Sequence, residues 1–225
     1  IMSDALRTNG LIPLSEPFTA LGFTHIGSGG ETIDPMVLTL LYGQVVDWIF
    51  VELRDKQDPS VVLQTRCGLI KNNGTIVSTN GASNITFDAV PGDYHIAVKH
   101  RNHLGAMTRD PLALSASGAS LDLRVHSTPT YGTNARATAF SRAALWSGDV
   151  NGNGQLKYTG SGNDRDPILV AVGSTTPNNT LNQYSTRDVN MNGQVKYTGS
   201  GNDRDPILVN VGSTTPNNVR SAQVP

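Results

Sequence analysis

The chain carries a single cysteine, Cys67, among 225 residues, so it cannot close a disulfide within itself. Charge is also sparse. Charged residues make up 16 %, and 17 basic against 18 acidic side chains give a formal net charge of -1. That balance leaves no field suited to nucleic acid or to acidic lipid. No stretch of about 18 apolar residues occurs, which argues against a spanning helix and predicts no membrane insertion. No charged-then-apolar leader is legible at Ile1-Met2-Ser3, so either a leader already removed or a longer parent polypeptide is expected. Aromatics stand at 6 % and hydrophobics at 37 %, with Gly, Asn, Thr and Ser filling the remainder. Such a composition suits a β-rich, turn-rich, secreted or cell-surface protein better than a helical enzyme. A secreted chain without disulfides needs another staple, and bound metal is a common one.

What is present is a duplication. Asp149 to Asn179 and Asp188 to Asn218 align at an offset of 39 residues and differ at three positions: Gly152/Met191, Leu156/Val195 and Ala171/Asn210. Two copies are too few for a solenoid and predict a pseudo-symmetric pair packed face to face.

Each copy opens with Asp-x-Asn-x-Asn-Gly. Ca²⁺ takes six to eight oxygens at about 2.3–2.6 Å, and alternate side chains of one tight loop can supply them. Asp149, Asn151 and Asn153 occupy loop positions 1, 3 and 5, Gly154 allows the turn, and Gln155 offers its carbonyl at position 7. The second copy offers Asp188, Asn190, Asn192, Gly193 and Gln194 in the same order. The twelfth position, an acid in an EF-hand, is Gly160 here and Gly199 in the second copy. Acids follow later, at Asp164 and Asp166, and at Asp203 and Asp205. The spacing predicts an enlarged loop that brings one of these back to each ion. Asp166-Pro167 also fits a helix start, with Asp166 as cap, Pro167 at the first helical position and Gly173 as the stop. Two Ca²⁺ ions are expected, held for structural use.

Ahead of the repeat the pattern is β. Val46–Leu53, Val61–Ile70, Asn84–Val90, Tyr94–Lys99, Leu112–Ser117 and Ser120–Val125 read as strands, with Tyr94, Ile96 and Val98 on one face. Short strands between Gly, Asn and Pro turns predict a mainly β fold, an antiparallel fibronectin- or Ig-like β-sandwich, and the loop motif predicts a small EF-hand-like tandem repeat with short helices after it. The expected divisions are an N-terminal segment 1–30 (edge strand, linker or assembly strand), a sandwich 31–126, a linker 127–145 and the tandem repeat 146–225. The repeat is expected to loosen independently of the sandwich when its first Asp is lost.

The C-terminal pair resembles the dockerin type of duplicated calcium loop plus helix. The full arrangement is similar to C-terminal regions of large secreted, adhesin-like surface proteins of Gram-negative bacteria. The likeness rests on Val46-Asp47-Trp48-Ile49-Phe50-Val51-Glu52-Leu53-Arg54-Asp55 and on the segment Gly92 to Gly105, both ahead of the calcium loops. It implies a sandwich preceding the repeat, and it carries no cohesin partner over to this chain.

Catalysis is not expected. No Gly-x-Ser-x-Gly elbow occurs, the paired carboxylates lie in the calcium loops, and Cys67 reads as a buried small hydrophobe. His95, His100 and His103 read as surface or turn residues, since His95 and His100 alternate across a strand. The expected function is a secreted structural module that builds or anchors an extracellular surface or matrix assembly, with other matrix components or head-to-tail copies of itself as partners. Leu11 through Phe18 is the candidate strand for such self-assembly into a filament. The alternative is a carbohydrate- or cell-binding adhesion module, which would need exposed aromatic platforms.

Overall fold

A computed structural model describes residues 2–39, 44–139 and 141–225. Ile1 of the chain start and Phe140 of the expected linker lie outside the described residues. The fold is mainly β, with antiparallel sheets and few, short helices.

Strand β1 (Val45–Arg54) is buried at all ten positions, which explains its nearly continuous apolar sequence. Its neighbours are β2 (Val62–Lys71), paired from Val45↔Lys71 to Arg54↔Val62, and β4 (Gly92–His100), paired from Phe50↔Lys99 to Arg54↔His95. β3 (Ile76–Val77) borders β2, and β5 (His103–Met107) and β6 (Leu112–Leu114) both pair with β4, giving one six-stranded antiparallel sheet.

Both faces of this sheet are covered. Trp48, Phe50, Cys67 and Leu69 pack under residues 2–39, which contribute Leu6 from helix α1 (Ala5–Thr8), then Ile12, Phe18, Ile33 and Val37. The Trp48 indole N–H donates to the Pro13 carbonyl at 2.9 Å. Leu11 to Phe18 therefore lies on the sheet of its own molecule, with Ile12 and Phe18 buried. The other face holds Ile49, Val51, Leu53, Ile96 and Val98, covered by Ile76, Ile85, Phe87, Leu112, Leu121, Leu123 and Leu145. Tyr94 joins Ile96 and Val98 in that cluster, as the alternation predicts.

Two expected strands are not strands. Asn84–Val90 and Ser120–Val125 half-bury Ile85, Phe87, Leu121 and Leu123 against the sheet, but side chains supply most of the hydrogen bonds to their backbones. Gln64 bonds both the N–H and the carbonyl of Asp88, and Arg66 donates to the Thr86 carbonyl. Arg136 donates to the carbonyls of Leu123, Val125 and Thr128. An alternating pattern reports burial of one face; it does not report whether a neighbouring backbone is within reach. The expected linker is likewise pinned, by Tyr131 N–H to the Met107 carbonyl and by the ribbon β7 (Ala137–Ala139) with β8 (Arg142–Ala144).

The β4–β5 turn, His100 to His103, plugs into the repeat. Asn102 donates to the carbonyls of Thr186 and Asp188 at 2.9 and 2.8 Å, and Gly148 N–H donates to the Asn102 carbonyl at 2.9 Å. Arg101 donates to the Ser185 carbonyl and stacks on Tyr184, 4.5 Å from its ring centre. Beneath them sits the fully buried Asp47 carboxylate. It accepts from Arg101 Nε (2.8 Å) and Tyr184 Oη (2.6 Å), with His100 Nε2 at 3.0 Å. Burial alone would push the Asp47 carboxyl up. The Arg101 charge, together with His100 and Tyr184, outweighs it and holds the group well below the usual carboxylate range.

Because Asp47 belongs to the sheet and Tyr184 to the repeat, the two units should unfold together. Asp47→Ala strands a buried guanidinium and should lower stability by about 3–5 kcal/mol. Tyr184→Phe removes one hydrogen bond to a charged group, worth about 1.5–3 kcal/mol. Denaturant unfolding should show both changes on one shared transition; a Tyr184→Phe effect confined to a separate transition would refute the coupling. The stabilisation from Asp47 is present above the unfolded carboxyl value of about 3.9 and is lost as pH falls through the lower folded value, so acid weakens the junction.

Candidate metal centre in the repeat

Each loop is followed, but not preceded, by a helix: α2 (Arg165–Val172) and α3 (Arg204–Val211). Ribbon strands β9 (Gln155–Lys157), β10 (Thr180–Asn182), β11 (Gln194–Lys196) and β12 (Val219–Ser221) pair crosswise. The tail of the first copy, β10, pairs with the loop strand of the second, β11, and β12 returns to β9. Reciprocal bonds repeat the exchange, Thr159 to Asn217 Oδ1 and Thr198 to Asn178 Oδ1, both at 2.7 Å. The shared core joins Val150, Leu156, Ile168 and Val172 to their counterparts Val189, Val195, Ile207 and Val211. Neither copy encloses its own apolar side chains, so the duplication is a folding requirement.

In the first loop the Asp149 carboxylate accepts from the N–H groups of Asn153 (3.1 Å) and Gly154 (3.0 Å). Asn151 Oδ1 accepts from Asn153 N–H and Asn153 Oδ1 from Gln155 N–H, while both amide nitrogens turn to the Gly162 carbonyl. Gly154 lies at φ +75° and its counterpart Gly193 at φ +84°, the left-handed turn that the motif requires. Asp188, Asn190 and Asn192 repeat these bonds, except that only the Asn190 amide nitrogen donates to the Gly201 carbonyl. Gln155 and Gln194 open β9 and β11.

The two late acids part company. Asp164 is fully buried and turned back into the loop, accepting from Val150 N–H (2.9 Å) and Lys157 N–H (2.8 Å); Asp203 does the same at Val189 (2.7 Å) and Lys196 (2.8 Å). Asp166 and Asp205 face outward, paired with Arg165 and Arg204, with more than half of each side chain exposed. The helix also begins earlier than expected, at Arg165. Asn163 Oδ1 accepts from Asp166 N–H and Asp166 accepts in return from Asn163, so Asn163 supplies the capping oxygen. Pro167 sits third rather than first, which is tolerated because first-turn N–H groups have no intrahelical acceptor. The stop at Gly173 is where the sequence places it.

Burial and the Asp149 charge push the Asp164 carboxyl up to about 7, and burial and the Asp188 charge do the same to Asp203. Burial also raises Asp149 and Asp188. Among the described residues no basic side chain forms an ion pair with any of these four acids. A carboxylate oxygen bonded to one N–H keeps a further lone pair. The set Asp149, Asn151, Asn153 and Asp164 is thus oxygen-only, anionic and without a counter-charge, which suits a hard cation.

His100 and His103 flank the β4–β5 turn, in line with a turn position, whereas the expected surface exposure fails for His95 and His100. His95 and His100 are buried, His95 Nδ1 lying 3.1 Å from the Thr108 carbonyl, and His100 and His103 meet at 2.8 Å between their Nδ1 atoms in the β4–β5 turn. Burial and the neighbouring His100 and Arg101 push His103 well down, so it is neutral. The tightly bonded turn, not the strand alternation, decides their exposure. A further group that the sequence does not signal joins Glu16, His25 and Cys67, whose potential ligand atoms all lie within 4.8 Å of one another. Their separations of 9 and 42 residues form no motif.

Compared with protein-family models, curated proteins and solved structures, the chain matches none.

Proposed function

We propose that the chain is a secreted, calcium-stabilised structural module that builds or anchors an extracellular surface or matrix assembly and has no catalytic role. The observation that carries this reading is the pair of symmetric, buried carboxylate sets, Asp149 with Asp164 and Asp188 with Asp203, none of which forms an ion pair among the described residues. In it, Asp149, Asn151, Asn153, the Gln155 carbonyl and Asp164 hold one Ca²⁺. Asp188, Asn190, Asn192, the Gln194 carbonyl and Asp203 hold the second. Asp166 and Asp205 serve the helix starts. Two carboxylates per ion suit extracellular calcium concentrations. The repeat is then a calcium-locked clasp on a sandwich-like body, in which irregular segments take the place of a second sheet. No helix among the described residues is long and apolar enough to cross a membrane.

The aromatic side chains favour this reading over sugar binding. Trp48 is fully buried, Trp146 lies under Arg220, and Tyr158 and Tyr197 lie under Arg165 and Arg204. Assembly through Leu11–Phe18 would first require that segment to leave its own sheet, so anchoring is favoured over filament formation.

Calcium in the millimolar range should raise the melting temperature above that in excess chelator, and an unchanged melt would sink the proposal. Without calcium, Asp164 and Asp203 bind protons in the folded state up to about pH 7 but only to about pH 4 when unfolded. Chelated protein should therefore lose stability as pH rises between those limits, and calcium, which displaces the protons, should abolish the loss. In direct titrations Asp164→Asn should weaken calcium binding at its loop by about tenfold or more, and Asp166→Asn by less than about twofold. The reverse order would reassign the ligand.

A further inference from the structure

The N-terminal covering of the sheet contains a second polar group, remote in sequence from the calcium loops. Glu16 is buried, Cys67 lies on β2 with 4 % exposure, and His25 is held edge-on against Phe50 at 5.2 Å between ring centres. His25 Nε2 faces Thr19 Oγ1 at 3.1 Å and Glu16 Oε1 at 3.8 Å. The surroundings hold these groups in place. Glu16 Oε2 accepts from Phe18 N–H (2.6 Å) and Thr19 N–H (3.1 Å), and Oε1 accepts from Gly30 N–H (3.1 Å). Glu31 is clamped beside them by Cys67 N–H (3.2 Å) and Gly29 N–H (3.1 Å). Gly29, at φ +119°, closes over the imidazole so tightly that a Cβ would stand 3.1 Å from His25 Cγ.

The charges do not balance. Within this apolar setting of Phe18, Phe23 and Phe50, neither Glu16 nor Glu31 has a Lys or Arg within salt-bridge distance among the described residues. Burial raises the Glu16 carboxyl, but its hydrogen bonds with Thr19, Gly30 and Phe18 lower it further and keep it anionic. Burial, Glu31 and Glu16 together push the Cys67 thiol far up. The buried Glu16 carboxylate, set beside an imidazole and a sulfur, thus has no Lys or Arg partner. The donor types, one sulfur, one imidazole and carboxylate, are those that select zinc-class ions over calcium. Ligand atoms round tetrahedral zinc lie roughly 3.3–3.8 Å apart, so a spread of up to 4.8 Å needs a contraction of about 1 Å.

We propose that Glu16, His25 and Cys67, with Glu31 beside them, form a site for one zinc-class divalent cation that ties the N-terminal covering to β2. Binding ligates the Cys67 sulfur as thiolate and releases its proton to solvent. The site is independent of the calcium loops and is tested with those loops filled.

The full chain, in millimolar calcium, is titrated with Co²⁺ as the spectroscopic stand-in for zinc. The expected result is one equivalent bound, with a thiolate-to-cobalt charge-transfer band and tetrahedral d–d bands, both removed by Zn²⁺. Cys67→Ala should abolish the charge-transfer band. His25→Gln, at the rim of the site and less able to disturb folding, should weaken Co²⁺ at least about tenfold. Zn²⁺ should also raise the melting temperature of the calcium-loaded wild type and leave that of His25→Gln unchanged. Absence of uptake by the wild type, or spectra unchanged in His25→Gln, overturns the site while leaving the calcium result intact.

Discussion

The structure turns on the buried Asp47 carboxylate. A charge removed from water is tolerable only when fully compensated, and here the compensation comes from three directions: Arg101 and His100 on the β4–β5 turn, and Tyr184 on the repeat. The sheet places the acid, and the repeat supplies one of its partners. Arg101 is in turn fastened to the Ser185 carbonyl, three residues ahead of the second loop's first Asp, so the register of that loop relative to the sheet is set by a side chain of the sheet. Separating the units would take the Tyr184 hydroxyl from the carboxylate and the Ser185 carbonyl from the guanidinium together.

The repeat shows why duplication was needed. A loop of about sixteen residues with a two-turn helix cannot enclose a core. By trading tails, β10 to β11 and β12 to β9, the copies make one core that neither has alone. The near-identity of the copies follows, because each side chain must serve the same role against a partner related by pseudo-twofold symmetry. Asn210, one of the three differences, breaks that symmetry for a reason: its amide donates to the Ser147 carbonyl at 2.8 Å and secures the start of the first loop.

Much of this was legible in order of appearance along the chain. β1, β2 and β4 follow from their alternation or continuous apolar runs, and the tight turn of each loop follows from Asp-x-Asn-x-Asn-Gly. The choice between Asp164 and Asp166 was not legible, since both stand near a helix start and both are Asp. Burial separates them: one turns into the loop against Val150 and Lys157, the other out to Arg165. The apolar segments 84–90 and 120–125 carry a strand pattern without strand pairing, because Gln64, Arg66 and Arg136 reach their backbones first.

Local sequence pattern carries the β character, the repeat, and an oxygen-rich loop in each copy. These are properties of local spacing, where side-chain period and turn chemistry act within a few residues. Long-range packing is what lays the N-terminal segment over a sheet face, makes the repeats exchange tails, joins Asp47 to Tyr184, and brings Glu16, His25 and Cys67 together. Each of those joins residues far apart in the chain, and no local propensity encodes a contact whose stability comes from burying groups that the fold itself first brings together.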